Sequence, residues 1–372
     1  MRDVPTTSPV VVDAMGGDHG AAEIVRGAVQ ARREHGVPVV LTGRAGVVRA
    51  ELARLGAVGE IDVAHADDVV PMTERGAGAV RMAHSSLAVG LGLVRDGAGA
   101  AFVSAGSTGA VAACATDRLG PAPAVLRPAL AVALPTTAGG ATVLIDAGAT
   151  VDPTPEMLAQ FALLGASYAQ LVLGVADPRV GLLSIGAEPG KGNRLTRRAE
   201  TLLRDLPLRF HGPVEGGDVL TGVADVIVTD GFTGNVVLKN VEGTVRATLA
   251  LLATEVGAGA GAGAGAVGGA GAGAVGGAGA GAVGGAGVGA VDGAGLGTQD
   301  VAGPEALRRV AGRYDPETHG GAALLGLTGT VVVAHGSSRA RTIARACVVA
   351  HDLARGEVVA RLGDRLAVRP AR

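Results

Sequence analysis

Short runs of β-branched and aliphatic residues, each ending in a small polar loop before a helical pattern, recur along this chain. No other feature restricts the fold as much. Val10-Val11-Val12-Asp13 leads to Ala14-Met15-Gly16-Gly17-Asp18-His19, where Asp18 is placed to cap a helix through about Glu34. Ala101-Phe102-Val103-Ser104 leads to Ala105-Gly106-Ser107-Thr108-Gly109, and Thr142-Val143-Leu144-Ile145-Asp146 to Ala147-Gly148-Ala149-Thr150. Runs at 180–185 and 226–228 enter two further loops, and Thr330-Val331-Val332-Val333-Ala334 ends at His335-Gly336-Ser337-Ser338. Apolar runs this short, alternating with helices, indicate parallel strands covered on both faces. The expected fold class is α/β, a three-layer α/β/α sandwich with a mostly parallel sheet. Ligands in such folds bind beyond the carboxyl ends of the strands, and all of these loops are expected at that one edge.

Lysine and asparagine single out two of the loops. The 372 residues include two lysines and three asparagines, all within 183–193 (Lys191, Asn193) and 229–240 (Asn235, Lys239, Asn240). Arginine supplies thirty of the 32 Lys and Arg side chains. A chain that uses Arg almost by default keeps Lys where a compact, mobile ammonium serves and a planar fork does not. Asn beside it donates and accepts through one short amide. Both loops are rich in glycine, with Gly190 and Gly192 in one and Gly231 and Gly234 in the other.

The formal charge is −2, aromatic residues are 2% and there is no Trp. This lacks both the basic footprint and the stacking platforms of a nucleic-acid-binding protein. Cys114 and Cys347 have no metal-ligand spacing and read as reduced core residues of a cytoplasmic protein. The first apolar run meets Asp13 too soon for a secretory signal. No stretch has the ~20 residues rich in Leu, Ile or Phe that a spanning helix needs.

Residues 257–297 are almost wholly Gly, Ala and Val, built on the repeat Gly-Ala-Gly-Ala-Val-Gly-Gly-Ala starting at Gly263, Gly271 and Gly279. With no large side chain to bury, this stretch reads as a flexible linker. Its GxGxxG matches lack the strand and helix of a dinucleotide site. The expected organisation is one discontinuous α/β domain, 10–256 with 298–365, between tails at 1–9 and 366–372.

Glycine-rich turns before helix starts offer backbone N–H groups to an anion, and Lys191 and Lys239 add positive charge. A phosphate or phosphorylated ligand fits such loops, although the glycines equally serve tight turns. The loop at 186–192 is not a P-loop, because three residues rather than four precede its Gly-Lys and Gly192 replaces the Ser or Thr. A rival is a serine hydrolase: Ser107 sits in a near-GxSxG turn, and Asp230 and His335 follow in α/β-hydrolase order. Asp13, Asp146 and Asp230 also read as loop braces. No spacing demands a metal around the carboxylates and His19. A third reading is a structural protein assembling through Gly-Ala stacking.

The motifs Val-Asp13-Ala-Met-Gly-Gly-Asp-His19, Ser104-Ala-Gly-Ser-Thr-Gly-Ala110, Ile-Asp146-Ala-Gly148, Gly190-Lys-Gly-Asn193, Thr-Asp230-Gly-Phe-Thr-Gly-Asn235 through Lys239, Gly320-Gly-Ala-Ala-Leu-Leu-Gly326 and His335-Gly-Ser337 resemble the PlsX-type phosphate acyltransferases of bacterial phospholipid synthesis. The resemblance spans about 10–256 and 314–361. It implies an isocitrate/isopropylmalate dehydrogenase-like fold, a homodimer, and fatty acyl transfer from acyl carrier protein to inorganic phosphate; separately, no cofactor and no metal ligands are assigned. The product would feed a membrane glycerol-3-phosphate acyltransferase, with the enzyme cytoplasmic or peripheral at the inner membrane face. In this reading Lys191, Lys239, Asn235, His335 and Asp230 are catalytic. Substrate binding falls to Asp13, Gly16, Gly17, Asp18, His19, Ser104, Ser107, Thr108, Gly109, Asp146, Gly148, Gly190, Gly192, Asn193, Gly231, Thr233 and Gly234. Relatives usually carry Asn at Ser107 and at Thr150, and more charge than Arg81-Met82-Ala83-His84 before Ser85-Ser86. The Gly-Ala insert occupies the place of helices linked in relatives to dimer contact and membrane association.

Overall fold

The computed structural model of the chain describes residues 8–74, 76–263, 310, 312, 320–356 and 358–361, with backbone alone for 255–263. Among them eleven strands form one sheet: β1 Val10–Asp13, β2 Val39–Gly43, β3 Asp62–His65, β4 Ala101–Ser104, β5 Ala129–Pro135, β6 Ala141–Ile145, β7 Arg179–Leu183, β8 Arg209–Val214, β9 Val226–Val228, β10 Ala322–Leu325 and β11 Thr330–Val333. The runs form strands because both of their faces are covered. Val10, Val12, Ala101, Val103, Val143 and Ile145 enter one core, while Val11, Phe102 and Leu144 enter the other. Each Val, Ile or Phe so buried contributes about 1.5–3 kcal/mol.

The first core is completed by α1 Ala21–His35, α2 Ala45–Arg54, α6 Pro155–Val172, α7 Arg194–Arg204 and α9 Ala340–Arg355. The second is completed by α3 Gly76–Arg81, α4 Ser86–Arg95 and α5 Thr108–Leu119. Local chemistry starts several of these helices. Thr154 caps α6 by accepting from Met157 N at 3.4 Å, with Pro155 at the first helical position. Where α1 crosses α9, a Cβ on Gly27 would lie 2.5 Å from Ala340 O and 2.6 Å from Ile343 Cβ. Only glycine permits that approach. Asp18 does not cap α1: Gly20 holds that position, and the Asp18 N–H is tied to Gly336 O at 2.8 Å. The helix Ala340–Arg355 is followed by a helical turn at 358–361.

The order across the sheet is β3-β2-β1-β4-β11-β10-β5-β6-β9-β7-β8. Strands β3 to β11 in that order are mutually parallel, as are β6, β9, β7 and β8. Between them β10 runs antiparallel to both β11 and β5, and β5 antiparallel to β6. Three antiparallel steps reverse the direction, so the two parallel blocks point opposite ways. This corrects the expectation of a single edge. Each polar loop does follow a strand's carboxyl end, but those ends face opposite edges of the sheet.

The helix after β9, α8, spans Gly231–Gly263, past the expected start of the linker at Gly257. A formed helix propagates cheaply; the three alanines of 257–263 favour this, while its four glycines oppose it by about 1 kcal/mol each. The chain divides into one compact unit of 1–242 with 314–372 and a second of 243–313. The rest of the repeat, residues 264–297, and the terminal residues 1–7 and 362–372 lie outside the described residues.

Candidate active site

The expected site residues fall into two groups. The first follows β1, β4 and β11. Asp13 is 2% exposed; its carboxylate accepts from Ser104 Oγ at 2.8 Å and from Met15 N at 3.0 Å. Burial pushes this carboxyl up from its ordinary range, while hydrogen bonds from Ser86, Ser104 and the Met15 and Gly16 amides oppose the shift. Around it the backbone is tight: a Cβ on Gly16 would meet Gly106 N at 2.8 Å, and one on Gly17 would meet Gly336 O at 3.2 Å. Asp18 and His19 follow on the same loop. Ser107 is the α5 N-cap residue without a side-chain capping bond, and Thr108 and Gly109 open that helix. His335 Nδ1 accepts the Ser337 N–H at 3.1 Å, with Ser337 Oγ 2.7 Å away. That backbone bond places the neutral ring's proton on Nε2.

The second group follows β6, β9 and β7, which are adjacent and parallel. Asp146 is fully buried. Its Oδ1 accepts from Leu130 N (2.8 Å), Gly148 N (3.1 Å) and Ala149 N (3.0 Å), and its Oδ2 from Thr150 N (2.6 Å). Burial pushes its carboxyl up, against four backbone donors that hold it down. Thr150 O in turn receives Gly231 N at 2.9 Å, which fixes the start of α8. Asp230 caps that start by accepting from Thr233 N at 2.7 Å and Thr233 Oγ1 at 2.8 Å. Asn235 lies against Gly148, where a Cβ would be 3.5 Å from its own Cβ, and Gly234 packs on the Asp146 carbonyl. Lys239 pairs with Glu242 at 2.9 Å, one turn along α8. Asn193 caps α7, accepting from Thr196 N at 2.9 Å, and Lys191 stands 3.6 Å from Glu188. Gly190 and Gly192, at φ 80° and 101°, shape this loop.

Lys191, Asn193, Asn235, Asp146, Gly148 and the 230–234 turn therefore share one edge, and Lys239 lies about two turns along the helix that starts there. Asp13, His19, Ser104, Ser107, Thr108, Gly109 and His335 belong to the other. The Ser107-Asp230-His335 triad is not assembled, because five strand spacings, about 24 Å, separate β4 from β9. A triad needs hydrogen-bond reach of ~3 Å. The structure adds Arg127, exposed just ahead of β5 on the lysine-bearing edge. Its neighbour Pro128 receives Thr150 Oγ1 at 3.1 Å, and Leu130 N–H goes to Asp146. No sequence signal marked Arg127, one arginine among thirty.

The EutD phosphotransacetylase from Staphylococcus aureus shares this architecture, with a TM-score of 0.54 at 15% identity over 94% of this chain and 96% of that one. A branched-chain phosphotransacylase from Enterococcus faecalis aligns at a TM-score of 0.50 and 13% identity, over 97% and 100%. The chain is thus an α/β protein with a large, mixed, mostly parallel sheet, the fold these two structures share. The family model described as "Fatty acid synthesis protein" matches residues 9–267 and 301–361. The phosphate acyltransferase of Thermobifida fusca is 47% identical over 367 residues, 97% of this chain and 91% of the relative. That of Gloeobacter violaceus is 39% identical over 362 residues, 97% of each. The chain belongs to this family of phosphate acyltransferases. Among the described residues no helix is long and apolar enough to cross a membrane.

Proposed function

We propose that the chain moves a fatty acyl group from acyl carrier protein to inorganic phosphate, with the reacting atoms on the lysine-bearing edge. One observation carries the assignment. Three adjacent parallel strands bring Lys191, Asn193 and Asn235 to one edge, around a buried carboxylate hub and the start of α8, the helix that carries Lys239 about two turns on. Phosphate is already an anionic nucleophile, so positioning matters more than covalent catalysis. A phosphate oxygen attacks the thioester carbonyl carbon and the C–S bond breaks. The proton leaving phosphate goes to the carrier's thiolate, and acyl phosphate remains. Lys191 and Lys239 hold the phosphate, and the Asn235 amide donates to the oxyanion. Asp230 and Asn193 position the two helix starts rather than react. The Asp13 group lies on the opposite edge, so in this reading His335 and His19 take no part in proton transfer at this protomer's lysine site.

The finer fold reading, isocitrate/isopropylmalate dehydrogenase-like, accords with the opposed parallel blocks. The homodimer reading is supported by exposed Val151, Ile185, Phe232 and Val236, all on loops or the helix start of the lysine-bearing edge. The assay mixes protein with acyl-acyl carrier protein, with and without phosphate, and follows thiol release and hydroxylamine trapping of acyl phosphate. Release that needs phosphate and yields trappable product supports the reading; release without phosphate refutes it.

A further inference from the structure

Behind Lys191 lies a carboxylate with no evident surface role. Glu200, on the buried face of α7, is 5% exposed. Its Oε2 accepts the Gly190 N–H at 3.1 Å, and its Oε1 pairs with the Arg204 guanidinium one turn along the helix. Arg204 lies over the Phe210 ring, 5.6 Å from its centroid. A glutamate is seldom buried this far unless its charge is matched. Here one oxygen meets that need, and the other goes to a single loop amide immediately before Lys191.

The loop needs such an anchor. Gly190 and Gly192 turn it through positive φ, and Lys191 N–H returns to Glu188 O at 3.2 Å. Asn193 fastens one end to α7 through Thr196 N. Glu200 fastens the other end, at Gly190, so Lys191 is suspended between two attachments to the same helix. The Lys191–Glu188 pair is solvent-exposed and contributes little to fixing the ammonium.

We propose that Glu200 is a positioning residue for acyl transfer: by holding the Gly190 amide it fixes the loop that presents the Lys191 ammonium to phosphate. This rests on the reading of Lys191 as a phosphate ligand. Because the half-exposed Arg204 guanidinium pairs with the carboxylate, the anchor adds no bare negative charge beside an anion.

The test compares E200M, E200Q, K191Q and the double variant E200M/K191Q in phosphate-dependent thiol release, varying inorganic phosphate and acyl donor separately. E200M is expected to raise KM for phosphate about tenfold with less than about twofold change in KM for the donor. E200Q keeps an oxygen for the Gly190 N–H and is expected to recover most of the loss. E200M is expected to add little on top of K191Q, the non-additivity of residues acting through one group. Equal changes in both KM values, or none in either, would overturn the proposal. If K191Q leaves KM for phosphate unchanged, the Lys191 reading itself falls and the proposal with it. If K191Q raises it and E200M does not, the proposal alone falls. Hydrogen exchange on the unmodified protein supplies a check free of folding effects: the Gly190 amide is expected to be protected, and exchange as fast as an open loop amide refutes the anchor.

Discussion

Replacing Asp146 tests the hub of the lysine-bearing edge. Its carboxylate satisfies four backbone donors, three on Oδ1 and one on Oδ2. Asp146→Ala leaves the buried Leu130 amide and the part-buried Gly148, Ala149 and Thr150 amides without this partner, at ~1–3 kcal/mol each if nothing replaces it. Water entering the vacated space recovers part, so the expected loss is about 4–6 kcal/mol, a large share of the ~5–15 kcal/mol that holds a domain together. Asp146→Asn is gentler. Its amide oxygen keeps the three Oδ1 donors, and its NH2 faces Thr150 N–H in place of a charge-assisted bond worth about 1.5–3 kcal/mol. Losing the buried charge offsets some of this cost. The assay is urea unfolding followed by far-UV circular dichroism, since the chain has no Trp to report. An Ala variant within about 1 kcal/mol of the parent would refute the donor count. An Asn variant as damaged as the Ala variant would refute the division of labour between the two oxygens.

Lys191→Gln and Lys239→Gln are each expected to raise KM for phosphate by at least about tenfold, with the fold intact by circular dichroism. Ser107→Ala is expected to keep phosphate-dependent transfer at least in part; loss of phosphate-independent thiol release in this variant would instead revive the hydrolase. Gly27→Val forces a side chain into Ala340 O and Ile343, an overpacking expected to cost about 1–3 kcal/mol and to lower the melting temperature. Asp13 titrates above its ordinary 3.8 when folded. The folded state then binds more protons, and the stability tied to this group is full below the unfolded value and is lost as pH rises through the folded one. Asp13→Asn is expected to flatten that fall in urea midpoints measured from about pH 4 upward; an unchanged slope counts against it.

Much of this protein is written locally in its sequence. The runs at Val10, Ala101, Thr142 and Thr330 read as strands buried on both faces, because they are short, largely β-branched, apolar at successive positions and bounded by turn residues. Lys191, Lys239, Asn193 and Asn235 stood out by composition alone. The tertiary structure decided direction. An apolar run carries no sign of which way it points in a sheet, and the reversal depends on β10 and β5 pairing, Ala323 against Ala131, across most of the chain. That pairing put Ser107 and His335 on one edge and Asp230 on the other. It also tied Pro128 and Leu130, next along from Arg127, to the Asp146 hub. Glu200 was hidden for a related reason: its partner is the backbone of Gly190, ten residues earlier, and no pattern of side chains records a hydrogen bond to an amide.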